Sequence, residues 1–171
     1  MRKQSDITIV YLGDGAVEEG AFYESANFAV LQELPVIFVC ENNLYSVYTG
    51  LDKRQPRNRK IHELAQAIGL NSFSGDGNDV VNNYDIFHHA VEQTRQGAGP
   101  CFIELSTYRW REHCGPNYDN HIGYRSEDEF VAWQAKEPIA RFENWLLENK
   151  LVSRNEMKKL RSEVQDLIIQ A

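Results

Sequence analysis

An acid set between two glycines, Gly13-Asp14-Gly15, closes one short apolar run, and two amides, Asn42 and Asn43, close the next. If those runs are neighbouring parallel strands, both groups stand at the crevice beyond the strands' carboxyl ends, where ligands bind in such sheets. Gly13 and Gly15 remove side chains where a phosphate must approach backbone amides. Asp14 would repel that phosphate unless a divalent cation stood between them. Magnesium takes about six hard oxygens at roughly 2.0–2.1 Å, and an amide oxygen from the adjacent strand tip serves without adding charge. One metal held by two strand ends is the reading. A dinucleotide fingerprint fits less well, because Glu18 stands where its third glycine belongs, and there is no P-loop.

Gly-Asp-Gly is also an ordinary turn, and the chain supplies a control in Gly75-Asp76-Gly77, with Asn82 and Asn83 close behind. No helix and strand fit between those pairs. Asn78 or Asp79 suits the cap of a following helix, so this copy reads as a structural turn.

The elements that must position these residues alternate in type. Residues 7–12 read as a buried strand, 18–34 as a helix with Phe22, Ala26, Ala29, Val30 and Leu34 on one face, and 35–41 as a second buried strand. Residues 44–60 are polar, basic and irregular, hence a loop. A short helix at Ile61–Ile68, a third strand before the second Gly-Asp-Gly, a helix at Val80–Arg95 and a strand at 100–109 follow. A second long loop carries "WREHCGPNYDNHIGYRS". Ser126 with Glu129 and Ser153 with Glu156 are helix-start signals, and Pro138 opens a helix between them. The fold class expected is α/β, with a mostly parallel sheet flanked by helices and a helical C-terminal extension. Residues 1–125 form the core and 126–171 the extension of the same domain.

A chain of 171 residues buries enough surface for one real core, and 25% charged with 42% hydrophobic residues is ordinary for a globular domain. The net charge of −7 argues against nucleic acid or an anionic membrane as partner. The opening residues carry a little basic charge, but the apolar run that follows is a strand's length, so neither a signal peptide nor a membrane span is expected. Cys40, Cys101 and Cys114 lack metal-site spacing, and reduced thiols suit a cytoplasmic location. Cys40 and Cys101 read as core. His88 and His89, adjacent on a helix, diverge by about 100° and read as solvated surface. His62 and His121 have no partners at ligand spacing. Arg109, Trp110 and Arg125 could line an anionic pocket. Met157, Leu160, Val164, Leu167 and Ile168 form an apolar stripe, for packing or for an interface in an oligomer.

The stretch "GDGAVEEGAFYESANFAVLQELPVIFVCENNLYSV" resembles the thiamine-diphosphate motif in alpha subunits of 2-oxo acid dehydrogenases of the pyruvate, branched-chain and acetoin types. "GPCFIELSTYRW" and "YRSEDE" sustain the likeness, which covers nearly all of this chain and only the later half of a family subunit. The resemblance implies the diphosphate-binding half of a three-layer thiamine-diphosphate fold, with thiamine diphosphate and Mg2+ as cofactors. It makes Asp14, the Asn43 side chain and the Tyr45 backbone carbonyl metal ligands. Gly15 and Ala16 would contact the diphosphate, and Asn42 would brace the turn. His113 would touch the cofactor's phosphate end and assist acyl transfer to a lipoyl group. Implied partners are a beta subunit in a heterotetramer, a lipoyl-bearing acyltransferase component, and an N-terminal half that carries a diphosphate-gripping arginine and a second histidine. The activity implied is decarboxylation of a 2-oxo acid, or acetoin cleavage, with acyl transfer to lipoyl. The alternatives are a non-catalytic metal and diphosphate module needing other chains, and a nucleotide-binding protein.

The chain departs from that pattern at Arg111, where relatives have a smaller residue or another histidine, and at Cys114, where mitochondrial relatives carry a regulated serine. Phosphorylation is not expected there. Glu18 and Glu19 must point away from a diphosphate.

Overall fold

The computed structural model describes residues 6–171, so the basic opening lies outside the described residues. In chain order the elements are β1 (Thr8–Gly13), α1 (Gly20–Leu31), β2 (Val36–Asn42), a hairpin of β3 (Tyr45–Ser46) and β4 (Thr49–Gly50), and α2 (Leu51–Arg54). Then come α3 (Ile61–Ile68), β5 (Asn71–Asp76), α4 (Val80–Arg95), β6 (Cys101–Ser106), α5 (Glu127–Gln134), α6 (Pro138–Glu148) and α7 (Arg154–Gln170). One four-stranded sheet has the order β1-β2-β6-β5, with every pairing parallel. Among the described residues no helix is long and apolar enough to cross a membrane.

Side chains alternate between the faces of a strand, and β2 shows how this builds three layers. Phe38 and Cys40 join Phe22, Ala26 and Ala29 of α1, Ile61 and Ala65 of α3, and Phe102 in one cluster. Ile37 and Val39 turn to the other face, against Ala90 of α4, Cys101 and Ile103. Phe22 meets Phe38 and Phe102 edge-on. Each such fully buried side chain contributes about 1.5–3 kcal/mol. Cys40 and Cys101 are core as expected, and burial pushes both thiols up from their ordinary pKa.

Three expectations about the elements need correction. β1 is not buried: it is an edge strand on which Ile9, Val10 and Tyr11 are exposed, Tyr11 by 64%. Apolar composition prepared it for cover, but no strand lies beyond it among the described residues. The helix at 18–34 is shorter, and it does not follow the strand directly. A 3-10 turn, Asp14–Glu18, intervenes, and its three-residue repeat sends Asp14 and Val17 inward together. α1 stops at Leu31, since Leu34 precedes a proline that disfavours helical backbone. The loop at 44–60 contains the β3–β4 hairpin and α2, because Leu44 (φ 71°) and Val47 (φ 55°) turn the chain sharply on either side of β3.

The C-terminal helices start where the sequence signals them. The Ser126 hydroxyl accepts from Glu129 N, Ser153 and Glu156 form a reciprocal capping box, and Pro138 opens α6, whose amides are capped by Glu137. The stripe on α7 is not packed within this chain; Leu160, Val164, Leu167 and Ile168 are all exposed.

Candidate functional site

Parallel register decides where the site lies. Gly13 pairs with Glu41, so Asp14 begins its turn beside Asn42 and Asn43. The Asp14 carboxylate is 1% exposed. Its Oδ1 accepts from the Asn43 backbone N–H at 3.3 Å, and its Oδ2 accepts from the Arg54 guanidinium. The two amides at the tip of β2 fold the chain after them: Asn42 Oδ1 accepts from Leu44 N at 3.2 Å and Asn43 Oδ1 from Tyr45 N at 3.1 Å. Such short-range turns let Leu44 take its left-handed backbone and begin the hairpin. Gly15 packs against that hairpin. A Cβ there would meet Ser46 Oγ at 2.6 Å, so the close approach of strand tip and hairpin requires glycine. Ala16 is exposed on the same turn, and its carbonyl accepts from Glu19 N.

Behind the tip of β2 lies a carboxylate that sequence reasoning missed. Glu104, 8% exposed in the middle of β6, accepts from Asn42 Nδ2 at 2.7 Å and from the His62 backbone N–H at 2.8 Å, while His62 Nδ1 lies 2.7 Å away. Buried acids are stable only when such donors surround them. The signal was a lone acid inside the apolar run "CFIEL". His62 therefore has a structural partner in Glu104. Glu104→Gln is expected to cost about 1–3 kcal/mol, because one buried donor loses its acceptor. Denaturant unfolding measures the loss, and amide exchange at residues 42–46 should quicken with it.

His113 stands exposed on the loop after β6. Arg109 Nη1 lies 3.3 Å from His113 Nδ1, and a guanidinium can only donate. The proton of the neutral ring is thereby assigned to Nε2. Arg109 also donates to Val47 O at 2.8 Å and to Tyr124 Oη at 3.0 Å, tying this loop to the hairpin that carries Tyr45. Tyr45 packs on Tyr124 and donates to Glu129 at 2.9 Å.

The anionic pocket that Arg109, Trp110 and Arg125 could line loses its Arg125. The Arg125 side chain is wholly buried, paired with buried Asp119 and donating to the carbonyls of Arg109 and Trp110. It is a brace for the loop. Arg111 lies over the Tyr118 ring at 3.9 Å, and Cys114 is exposed. The second Gly-Asp-Gly is the structural turn expected: Asp79 caps α4, Asp76 pairs with Arg141, and a Cβ on Gly77 would meet Ser106 O at 2.9 Å. His88 and His89 are exposed, as expected.

Arg54 and Glu18 complete the inner set. Arg54 bridges Asp14 and Glu18, and Glu18 also accepts from Gln55 Nε2 at 2.8 Å. Chemically the tip offers one buried carboxylate, an amide oxygen and backbone carbonyls, all hard oxygens.

A parallel α/β sheet that brings an acid and an amide to adjacent strand tips sets both at the carboxyl edge, where ligands of such sheets bind. Over residues 1–171 the chain matches the profile described as dehydrogenase E1 component, and it belongs to that family. It is 38% identical over 159 residues to a pyruvate dehydrogenase E1 component subunit alpha of Porphyra purpurea, covering 93% of this chain and 45% of the relative. A similar match, 34% over 172 residues, is to the mitochondrial 2-oxoisovalerate dehydrogenase subunit alpha 1 of Arabidopsis thaliana, covering 100% of this chain and 36% of the relative. A pyruvate dehydrogenase E1 component subunit alpha of Rickettsia bellii is 32% identical over 167 residues, with 98% and 50% covered. The chain spans about half or less of the length of these relatives.

Proposed function

We propose that this chain is the metal- and diphosphate-holding part of the alpha subunit of a thiamine-diphosphate-dependent 2-oxo acid dehydrogenase. The observation that carries the reading is the Asp14 carboxylate accepting from the Asn43 backbone N–H across two adjacent strand tips. The residues present fit the group. A single buried acid, the Asn43 side-chain oxygen and the Tyr45 carbonyl would supply the hard, charge-poor ligand set magnesium prefers, and Gly15 and Ala16 would offer backbone contacts to a diphosphate. When bound, thiamine diphosphate supplies the carbanion chemistry that releases carbon dioxide from a 2-oxo acid.

The chain's own residues hold and orient. Asp14, Asn43 and Tyr45 fix the metal end, Glu104 holds the Asn42 turn that aims them, and His113, with its proton on Nε2, donates during acyl transfer to a lipoyl carrier. A beta subunit, a lipoyl-bearing acyltransferase and the part of the relatives that this chain does not span complete the machinery. A module that binds metal and diphosphate without turnover is the second reading.

Calorimetric titration separates these readings from a nucleotide site. With Mg2+ present, thiamine diphosphate is expected to bind in the micromolar range, about −8 kcal/mol, and ADP markedly more weakly. Equal binding of the two would overturn the assignment. Carbon dioxide release from a 2-oxo acid, measured after adding a beta subunit, then separates the catalytic reading from the module.

A further inference from the structure

Arg54 is the last residue of α2, a helix of four residues. Its guanidinium reaches three acceptors: Asp14 Oδ2, Glu18 Oε1 and, through Nε at 3.1 Å, the carbonyl of Thr49. The carboxylate of Asp14 is closed off from solvent. Oδ1 holds the Asn43 amide, Oδ2 holds Arg54, and the residue is 1% exposed. A dication that takes Asp14 as ligand would have to reach the carboxylate on the side that Arg54 covers, and a guanidinium and a dication beside one buried carboxylate repel each other.

Arg54 has somewhere to go. Glu18 lies on the rim of the same turn, and its carboxylate already shares the guanidinium, so a short swing about Glu18 frees Asp14 without stranding the charge. Gln55 steadies Glu18 from the other side.

We propose that Arg54 and a divalent cation are alternative partners of Asp14, and that Arg54 sets how tightly the site takes its metal; this rests on the reading of the site given above. Arg54 is then a positioning residue. It keeps the buried acid neutralised and aimed at the Asn43 amide, and it yields when the metal arrives. The same competition sharpens selectivity, since a monovalent cation gains less from the carboxylate than the guanidinium it would displace.

The test uses the whole chain, with Mn2+ as probe and the electron paramagnetic resonance signal of free Mn2+ as readout. Arg54→Gln is expected to bind Mn2+ about tenfold more tightly than the parent, the low end of what one charge-assisted hydrogen bond is worth. Arg54→Lys should fall between them, and Asp14→Ala should lose the site. A merely structural arginine predicts the opposite sign, weaker binding on its removal. In the parent chain, saturating Mn2+ should also expose Arg54 to phenylglyoxal, read by peptide mass spectrometry.

Equal or weaker Mn2+ affinity in Arg54→Gln, with binding still dependent on Asp14, overturns the competition and leaves the site assignment standing. Absence of Mn2+ binding from the parent and every variant overturns both. Should Arg54→Gln fail to fold, the parent alone decides: unchanged protection of Arg54 at saturating Mn2+ sinks the proposal.

Discussion

With Asp14 replaced by alanine, the chain is expected to lose its affinity for magnesium thiamine diphosphate while keeping its fold. Asp14 is the single anionic ligand in the proposed set, and the remaining oxygens are neutral. The drop should exceed the roughly 10–100-fold that substitutions outside a metal's own ligands produce. Folding survives because Arg54 keeps Glu18 and the Thr49 carbonyl as partners, and the core clusters of the sheet do not include residue 14. Calorimetry on the parent and on Asp14→Ala, with circular dichroism to confirm the fold, makes the comparison. Unchanged affinity would place the metal elsewhere and remove the basis of the functional reading.

The largest loss of stability is expected from Arg125→Met. Arg125 and Asp119 are both wholly buried, and breaking such a pair by removing one partner costs about 3–5 kcal/mol, because the survivor is left charged without compensation. Burial pushes the Asp119 pKa up, but the Tyr124 hydroxyl and the Arg125 guanidinium outweigh it and hold the carboxyl below the usual range. A depressed carboxyl contributes stability above its unfolded pKa of about 3.9, and that contribution fades as pH falls through the folded value. Without the arginine, the buried acid is relieved when protonated. The gap between parent and variant should thus be widest near neutral pH and narrow below about pH 4, as urea unfolding at several pH values would show. A gap that stays constant would mean that Arg125 acts through packing on Tyr108 and Phe130 and not through its charge.

Much of the layout was legible in the chain itself. The apolar runs ending in Gly13 and Asn42 are short and flanked by glycine or amide, and they became adjacent parallel strands whose tips coincide. The helix starts at Ser126 and Ser153 were readable because a cap is a local device, a hydroxyl three residues from an acid. What stayed hidden is long-range. β1 has the composition of a buried strand, yet whether a strand is covered depends on neighbours that local pattern does not name. The hairpin at 45–50 depends on two residues other than glycine, Leu44 and Val47, in left-handed backbone, which no composition rule flags. Arg54 was only part of a basic loop, Glu104 drew no reading and Arg125 was set in a possible anionic pocket, because the partners Asp14, Asn42 and Asp119 reach them only through folding.

The margin of the sheet at β1 has a practical consequence. A straight ribbon of amide donors and carbonyls, with tyrosine and isoleucine bare beside it, is a template for any passing chain in extended form. Handled by itself at high concentration, this polypeptide is expected to join margin to margin with its own kind.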